Sequence, residues 1–220
     1  MPSINRGKTL VQCDFDGTVT EKDVSFLLLD AFAPGDWRKP LADYRQNKIS
    51  VDCFNRQAFA LVKASRKTLT EFVRGRARIR RGFRELVDYC HQKGFRPVIV
   101  SNGLKFYIDI MLGDAGITDI EVFAAQTRFR PRGIEVRYIG PDGEQADKGL
   151  KELYARLFLS QGYRLIYLGN GVSDIYPARL AHYVFARDDL LSLCARENVP
   201  CTPFTDLNDV VRGLELLPPP

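Results

Sequence analysis

Two aspartates stand two positions apart in Asp14-Phe-Asp-Gly-Thr18, directly after the short β-prone run Lys8-Thr-Leu-Val-Gln-Cys13. A carboxylate at the exit of a strand can attack phosphorus to give an acyl phosphate, which divides one hydrolysis into two easier displacements. Asp14 is the candidate nucleophile. A second carboxyl must protonate the departing oxygen and then, once ionised, activate the water that cleaves the acyl phosphate; Asp16 suits that role. The competing reading is a polar loop whose aspartates cap the next helix.

A carboxylate and a phosphate dianion repel each other, so such a site needs positive charge. Magnesium supplies it by joining carboxylates to a phosphate oxygen in an octahedral shell that keeps some water. The turn Gly169-Asn-Gly-Val-Ser-Asp174 offers Asn170 and Asp174 for that task. Lys148, opening a predicted helix, is a candidate fixed ammonium near the nucleophile, and Lys151 lies close by. Ser101-Asn-Gly103 ends a predicted strand and begins a predicted helix, so the Ser101 hydroxyl and the N–H groups of Asn102 and Gly103 can receive phosphate oxygens. An ordinary serine N-cap is the alternative there.

These residues need a scaffold that brings chain-distant segments together. Residues 8–13, 95–101, 120–124, 164–168 and 183–185 read as strands, and 95–101 is the near-continuous apolar run of a strand buried on both faces. Helical patterns cover 24–29, 54–61, 82–93, 104–115, 148–161 and 173–181, and Thr68 and Glu71 have capping-box spacing. Residues 127–139 alternate about Pro131-Arg-Gly133 as a projecting hairpin. Strands alternating with helices predict a doubly wound, mainly parallel α/β sheet with its ligands beyond the carboxyl ends of the strands. Asp14, Ser101 and Asn170 all follow predicted strands. Asp14 and Ser101 stand much further apart than the roughly 30 residues of a simple βαβ unit. The surplus is helical and reads as an inserted cap.

The four segments Asp14 to Thr18, Ser101, Lys148 and Gly169 to Asp174 resemble, in order and strand context, the haloacid dehalogenase superfamily over essentially the whole chain. The resemblance implies a Rossmann-like core with Asp14 as nucleophile and Asp16 as acid/base. It also implies Ser101 and Lys148 as phosphate ligands, and magnesium held by Asp14, the Asp16 carbonyl and the last motif. The helical insertion resembles the small C1-type cap of the phosphoserine-phosphatase-like branch, giving a core of residues 1–22 and 80–220 and a cap of residues 23–79. Within that branch Cys13 to Thr18, Phe32-Ala-Pro-Gly-Asp-Trp37, Ile79-Arg-Arg-Gly-Phe-Arg-Glu85 and Phe185-Ala-Arg-Asp-Asp-Leu-Leu191 are similar to the phosphatases of methionine salvage. Two positions depart from the pattern. Asn170 stands where an aspartate usually binds the metal, which removes one negative charge but keeps an oxygen, and Lys105 stands where relatives often carry an acid. Asp23 occupies the place of a glutamate that meets the amino group of phosphoserine, with a helix cap as its alternative role.

Bulk properties set the outer limits. A chain of 220 residues with 45% apolar residues can bury a substantial core. No stretch approaches the roughly 18 apolar residues of a membrane span, and no secretory leader is evident, so a cytoplasmic protein is expected. Five scattered cysteines without CxxC spacing read as reduced thiols, and His91 and His182 as structural residues. The net charge of +5, concentrated in the arginines between 74 and 84, favours an anionic ligand. The expected activity is a magnesium-dependent phosphatase of a small phosphorylated metabolite, acting as monomer or homodimer. A phosphotransferase on the same fold, a nucleic-acid-directed module and a catalytically weakened phosphate-binding protein are the alternatives.

Overall fold

The computed structural model describes residues 8–46, 48–146 and 149–218. Strand β1 (Thr9–Cys13) is buried along its whole length and lies in the middle of the sheet. It pairs in parallel with β2 (Arg96–Leu104) on one side and β5 (Arg164–Gly169) on the other. Cys13 stands level with Ile99 and with Leu168, so Asp14, Ser101 and Asn170 leave the sheet at one edge. The sheet continues outward through β3 (Glu121–Arg130) and β4 (Gly133–Arg137) on one flank, and through β6 (Tyr183–Ala186) and β7 (Thr202–Pro203) on the other. Every pairing is parallel except that of β3 with β4, the expected hairpin. The strand predicted at 120–124 and the first arm of that hairpin are one continuous strand, β3.

Among the described residues four helices lie between β1 and the helix that leads into β2. They are α1 (Val24–Phe32), α2 (Arg38–Arg45), α3 (Val51–Phe59) and α4 (Arg66–Arg76), followed by α5 (Phe83–Gln92). Helices α1, α2 and α3 meet in an aromatic cluster in which Phe26 lies 5.3 Å from Trp37 and Tyr44 stacks on Phe54 at 6.0 Å. Helix α2 is absent from the sequence expectations because it is polar nearly throughout, Leu41 being its one buried residue. The start of α4 also needs correction. Ser65, not Thr68, is the N-cap, its hydroxyl accepting from the Thr68 N–H at 3.1 Å.

Two further boundaries shift. Strand β2 runs through Ser101-Asn-Gly to Leu104 across a register irregularity, and α6 (Lys105–Asp114) begins only after it. Ser101 to Gly103 therefore form an irregular strand end rather than a helix N-terminus. The helix expected at 173–181 is a 3₁₀ turn, Val172–Asp174, followed by the single turn of α8 (Ile175–Ala178). Helix α7 (Leu150–Ser160) precedes β5, and α9 (Asp188–Glu197) and α10 (Leu207–Glu215), not anticipated from the sequence, complete the layers. No helix among the described residues is long and apolar enough to cross a membrane.

The helical insertion joins the sheet through two crossing strands of chain. Thr20 and Ile79 form an antiparallel bridge, and the Arg80 N–H donates to the Val19 carbonyl at 2.7 Å. The Arg80 guanidinium ties the crossing to the nucleophile loop, donating to the carbonyls of Gly17 (2.8 Å), Thr18 (2.9 Å) and Thr20 (2.8 Å). A charged donor on several part-buried carbonyls contributes about 1.5–3 kcal/mol. Arg80→Ala is expected to lower stability by about 2 kcal/mol in urea denaturation at unchanged m. A loss under about 0.5 kcal/mol would show that the crossing holds without it.

Candidate active site

Asp14 is 4% exposed, and its N–H donates to the Leu168 carbonyl at 2.9 Å, which fixes the first residue beyond β1 against β5. Its Oδ1 lies 2.7 Å from Lys151 Nζ, and the same ammonium lies 2.6 Å from Asp174 Oδ1. Asp174 is fully buried and completely engaged. Its Oδ1 also accepts from the Tyr167 hydroxyl, and its Oδ2 accepts the N–H groups of Asn170 (2.9 Å) and Gly171 (2.8 Å). Asp174 thus holds the turn and the ammonium rather than facing the cavity.

Lys148, the expected phosphate ligand, lies outside the described residues. Lys151, noted from the sequence only as a neighbour of Lys148, is the ammonium that meets Asp14. The signal was present. Leu150, Lys151, Tyr154, Ala155 and Phe158 form the buried face of α7, and a lysine in phase with a buried face requires partners.

Asn170 reaches back over the nucleophile loop. With its amide nitrogen turned toward that loop it donates to Thr18 Oγ1 (2.9 Å), Asp14 Oδ2 (3.1 Å) and the Asp16 carbonyl (3.0 Å). Gly17 makes the approach possible: its φ is +77°, and a Cβ there would lie 2.4 Å from the end of the Asn170 side chain. The amide terminus is separated from a carboxylate oxygen and a carbonyl oxygen by about the edge of an octahedron with metal–oxygen bonds of roughly 2.1 Å. With the amide oxygen presented instead, the set is three hard oxygen donors, which suits magnesium. Among the described residues no three His, Cys, Asp or Glu side chains form a metal cluster, so any such ion would keep several waters.

Asp14, Asp16 and Asp23 line one cavity of about 260 Å³ together with Ser101, Asn102 and Gly103. Asp16 Oδ1 accepts from the Val24 N–H (3.1 Å), and Asp23 caps α1 by accepting from the Phe26 N–H (2.8 Å). Ser101 Oγ accepts from the Gly103 N–H at 3.0 Å, and the Asn102 amide donates to Ser173 Oγ at 3.2 Å. From the helical insertion Phe26, Leu41, Tyr44 and Phe54 give the cavity an apolar side.

Burial governs the protonation of these groups. It raises Asp14 to about 7, with repulsion from Asp174 and Asp16 adding to it and Lys151 opposing. It raises Asp16 to about 8, helped by Asp23 and resisted by hydrogen bonds from Tyr107 and Val24. It raises Asp23 to about 6, its bond from Phe26 opposing and Asp14 adding. Burial alone would discharge Lys151, but Asp14 and Asp174 outweigh it and hold the ammonium charged.

The remaining candidates are structural. His182 Nδ1 accepts from the Leu165 N–H at 3.1 Å, and His91 pairs with Asp119 at 3.0 Å. In the basic run Arg74 pairs with Asp114 (2.8 Å), Arg80 holds the crossing, and Arg84 donates to the Ala115 carbonyl. The five cysteines are free thiols.

The sequence model of the haloacid dehalogenase-like hydrolases matches residues 11–179, and the chain belongs to that family. Its kinship within it is with phosphatases. It is 33% identical over 211 residues to the 2-hydroxy-3-keto-5-methylthiopentenyl-1-phosphate phosphatase of Geobacillus thermodenitrificans (strain NG80-2), covering 93% of this chain and 94% of that one. The protein of the same description from Brevibacillus brevis is 29% identical, over 94% of this chain and 96% of its own. Among solved structures, a phospho-aspartyl intermediate analogue of phosphoserine phosphatase aligns with a TM-score of 0.70 at 17% identity, covering 94% of this chain and 99% of that one. A phosphoserine phosphatase from T. onnurineus gives 0.70 at 16%, covering 98% of both. These last two show the shared fold.

The raised carboxyls make metal-free stability depend on pH. Asp14, Asp16 and Asp23 bind protons more tightly in the native state than in the unfolded chain. The stability they contribute is complete below the ordinary value of 3.8 and is lost as pH rises through about 6, 7 and 8 in turn. In EDTA, Tm is expected to fall from about pH 5 to about pH 8.5, and Asp16→Asn to flatten the upper part of that fall. A Tm that rises across this window would contradict the assignment.

Proposed function

We propose that this chain is a magnesium-dependent phosphatase that hydrolyses a small phosphate monoester through an aspartyl-phosphate on Asp14. The observation that carries the reading is that Asp14, paired with the buried Lys151 ammonium, and a second carboxyl, Asp16, line one cavity. An Asp14 oxygen attacks phosphorus as the bond to the leaving oxygen breaks, and Asp16 gives that oxygen its proton. Asp16, now a carboxylate, takes a proton from water; the water oxygen bonds to phosphorus, the bond to Asp14 breaks, and phosphate and the free Asp14 carboxylate result. An acid whose proton is held up to about 8 is protonated and ready for the first step at neutral pH.

Asp14, the Asp16 carbonyl and Asn170 would hold the magnesium, which when bound supplies positive charge against the phosphoryl oxygens. Asp174 supports them from beneath. The Ser101 hydroxyl, oriented by the Gly103 N–H, and the Asn102 N–H receive phosphate oxygens, and Lys151 takes the role of fixed ammonium. Residues 23–79 act as the cap and the rest as the core, and closure of the cap excludes water and bulky polymers. The apolar side built by Phe26, Leu41, Tyr44 and Phe54 supports a substrate with an apolar chain, of the kind named for the Geobacillus relative, over phosphoserine. Five unpaired thiols suit the reducing cytoplasm.

Asp14→Asn is expected to reduce magnesium-stimulated phosphate release from p-nitrophenyl phosphate by at least about a thousandfold. Retained release would refute covalent catalysis at Asp14. Asn170→Asp adds a negative charge to the ligand set and is expected to tighten magnesium binding by about tenfold in calorimetry. Unchanged affinity would remove Asn170 from the ligands.

A further inference from the structure

Tyr107 stands in the first turn of α6 and is fully buried. Its ring is wedged between Phe106, with centroids 5.5 Å apart, and Phe15, at 6.3 Å. A phenol in such a layer needs a partner for its hydroxyl, and a phenylalanine would fill the same space without that need. The hydroxyl donates to Asp16 Oδ2 in a short hydrogen bond and lies 2.8 Å from Ser25 Oγ.

The other oxygen of Asp16 is held from α1. The Val24 N–H donates to Oδ1 at 3.1 Å, while Ser25 Oγ lies 3.4 Å from Oδ2. With each oxygen assigned to a different donor, the carboxyl has one orientation. Oδ1, which accepts from the Val24 N–H, keeps a second lone pair where a proton can be carried. The phosphate-binding segment is shaped around this pair. A Cβ at Gly103 would lie 2.2 Å from the Tyr107 hydroxyl oxygen and 2.3 Å from Asp16 Oδ2, so any larger residue would break the contact.

We propose that Tyr107 is the positioning residue of the acid/base: it fixes the Asp16 carboxyl in the orientation that faces the leaving-group oxygen, and α1 completes the grip through Val24 and Ser25. The inference rests on the phosphatase reading above. It also gives the cap a second task. When α1 is seated, Asp16 is held from both sides; when α1 moves away, the carboxyl keeps only the phenol.

The test compares Tyr107→Phe and Ser25→Ala with the wild-type enzyme on p-nitrophenyl phosphate and on propyl phosphate. The parameter is kcat/KM, which reports the steps up to formation of the aspartyl-phosphate. Nitrophenolate departs with little help from an acid, whereas a propyl alkoxide requires the proton. Tyr107→Phe is expected to lose about ten- to a hundredfold on propyl phosphate and less than about threefold on p-nitrophenyl phosphate. Inhibition by inorganic phosphate should stay within about twofold, because the phosphate ligands are untouched. Ser25→Ala should shift in the same direction by less, and it decides the matter if Tyr107→Phe does not fold. Equal losses on both substrates, or none, would overturn the role of Tyr107. A wild-type enzyme that releases phosphate from neither substrate would instead overturn the phosphatase reading itself.

Discussion

An ammonium group enclosed by protein carries a penalty of several kcal/mol unless opposite charge meets it at close range. Lys151 is 5% exposed, and its charge is matched by Asp14 at 2.7 Å and Asp174 at 2.6 Å. Burial pushes Asp14 upward even beside a lysine, and repulsion from Asp174, the second carboxylate around that ammonium, adds to it. The excess of negative charge is tolerable only because Asp174 is bound on every side by Tyr167 and by the N–H groups of Asn170 and Gly171. Those same N–H bonds give the turn after β5 its shape and bring Asn170 over the nucleophile loop. The central sheet register, the phase of α7 and the glycine at 169 are all conditions of this one charge cluster. A Cβ at Gly169 would lie 2.6 Å from the Asp174 carboxyl carbon.

A second layer of order surrounds the first. Arg80 binds three carbonyls of the loop that follows Asp14, and that loop carries both Asp16 and the entry to α1. The helical insertion and the nucleophile loop therefore share their supports, which couples the seating of α1 to the orientation of Asp16. The aromatic cluster of Phe26, Trp37, Tyr44 and Phe54 keeps the insertion rigid and forms the apolar side of the cavity.

Much of this was legible in the sequence, and what was not has physical causes. Asp14, Asp16, Ser101 and Asn170 were found because strand ends in a parallel sheet share one edge, a rule that needs only the strands. The strands themselves were plain because their apolar runs are buried on both faces, as in β1 and β5. Lys151 was named only beside Lys148 because a lysine shows its burial only once the phase of its helix is known, and in α7 it falls on the buried face with Leu150 and Tyr154. Tyr107 was passed over because an aromatic on an apolar helix reads as core, and its hydroxyl partner, Asp16, lies 91 positions away. Helix α2 offered no periodic signal, and the extension of β2 to Leu104 depends on pairing with Ala125, a contact across the sheet rather than along the chain.

The central claim is that the phosphoryl group passes through Asp14. The measurement closest to it is acid quenching of the enzyme within milliseconds of mixing with magnesium and p-nitrophenyl phosphate, followed by peptide mapping. One phosphoryl group on the peptide containing Asp14, released by hydroxylamine as an acyl phosphate is, would bear the account out. Turnover under the same conditions with Asp14 unmodified at every time point, or with the phosphoryl group on another residue, would contradict it.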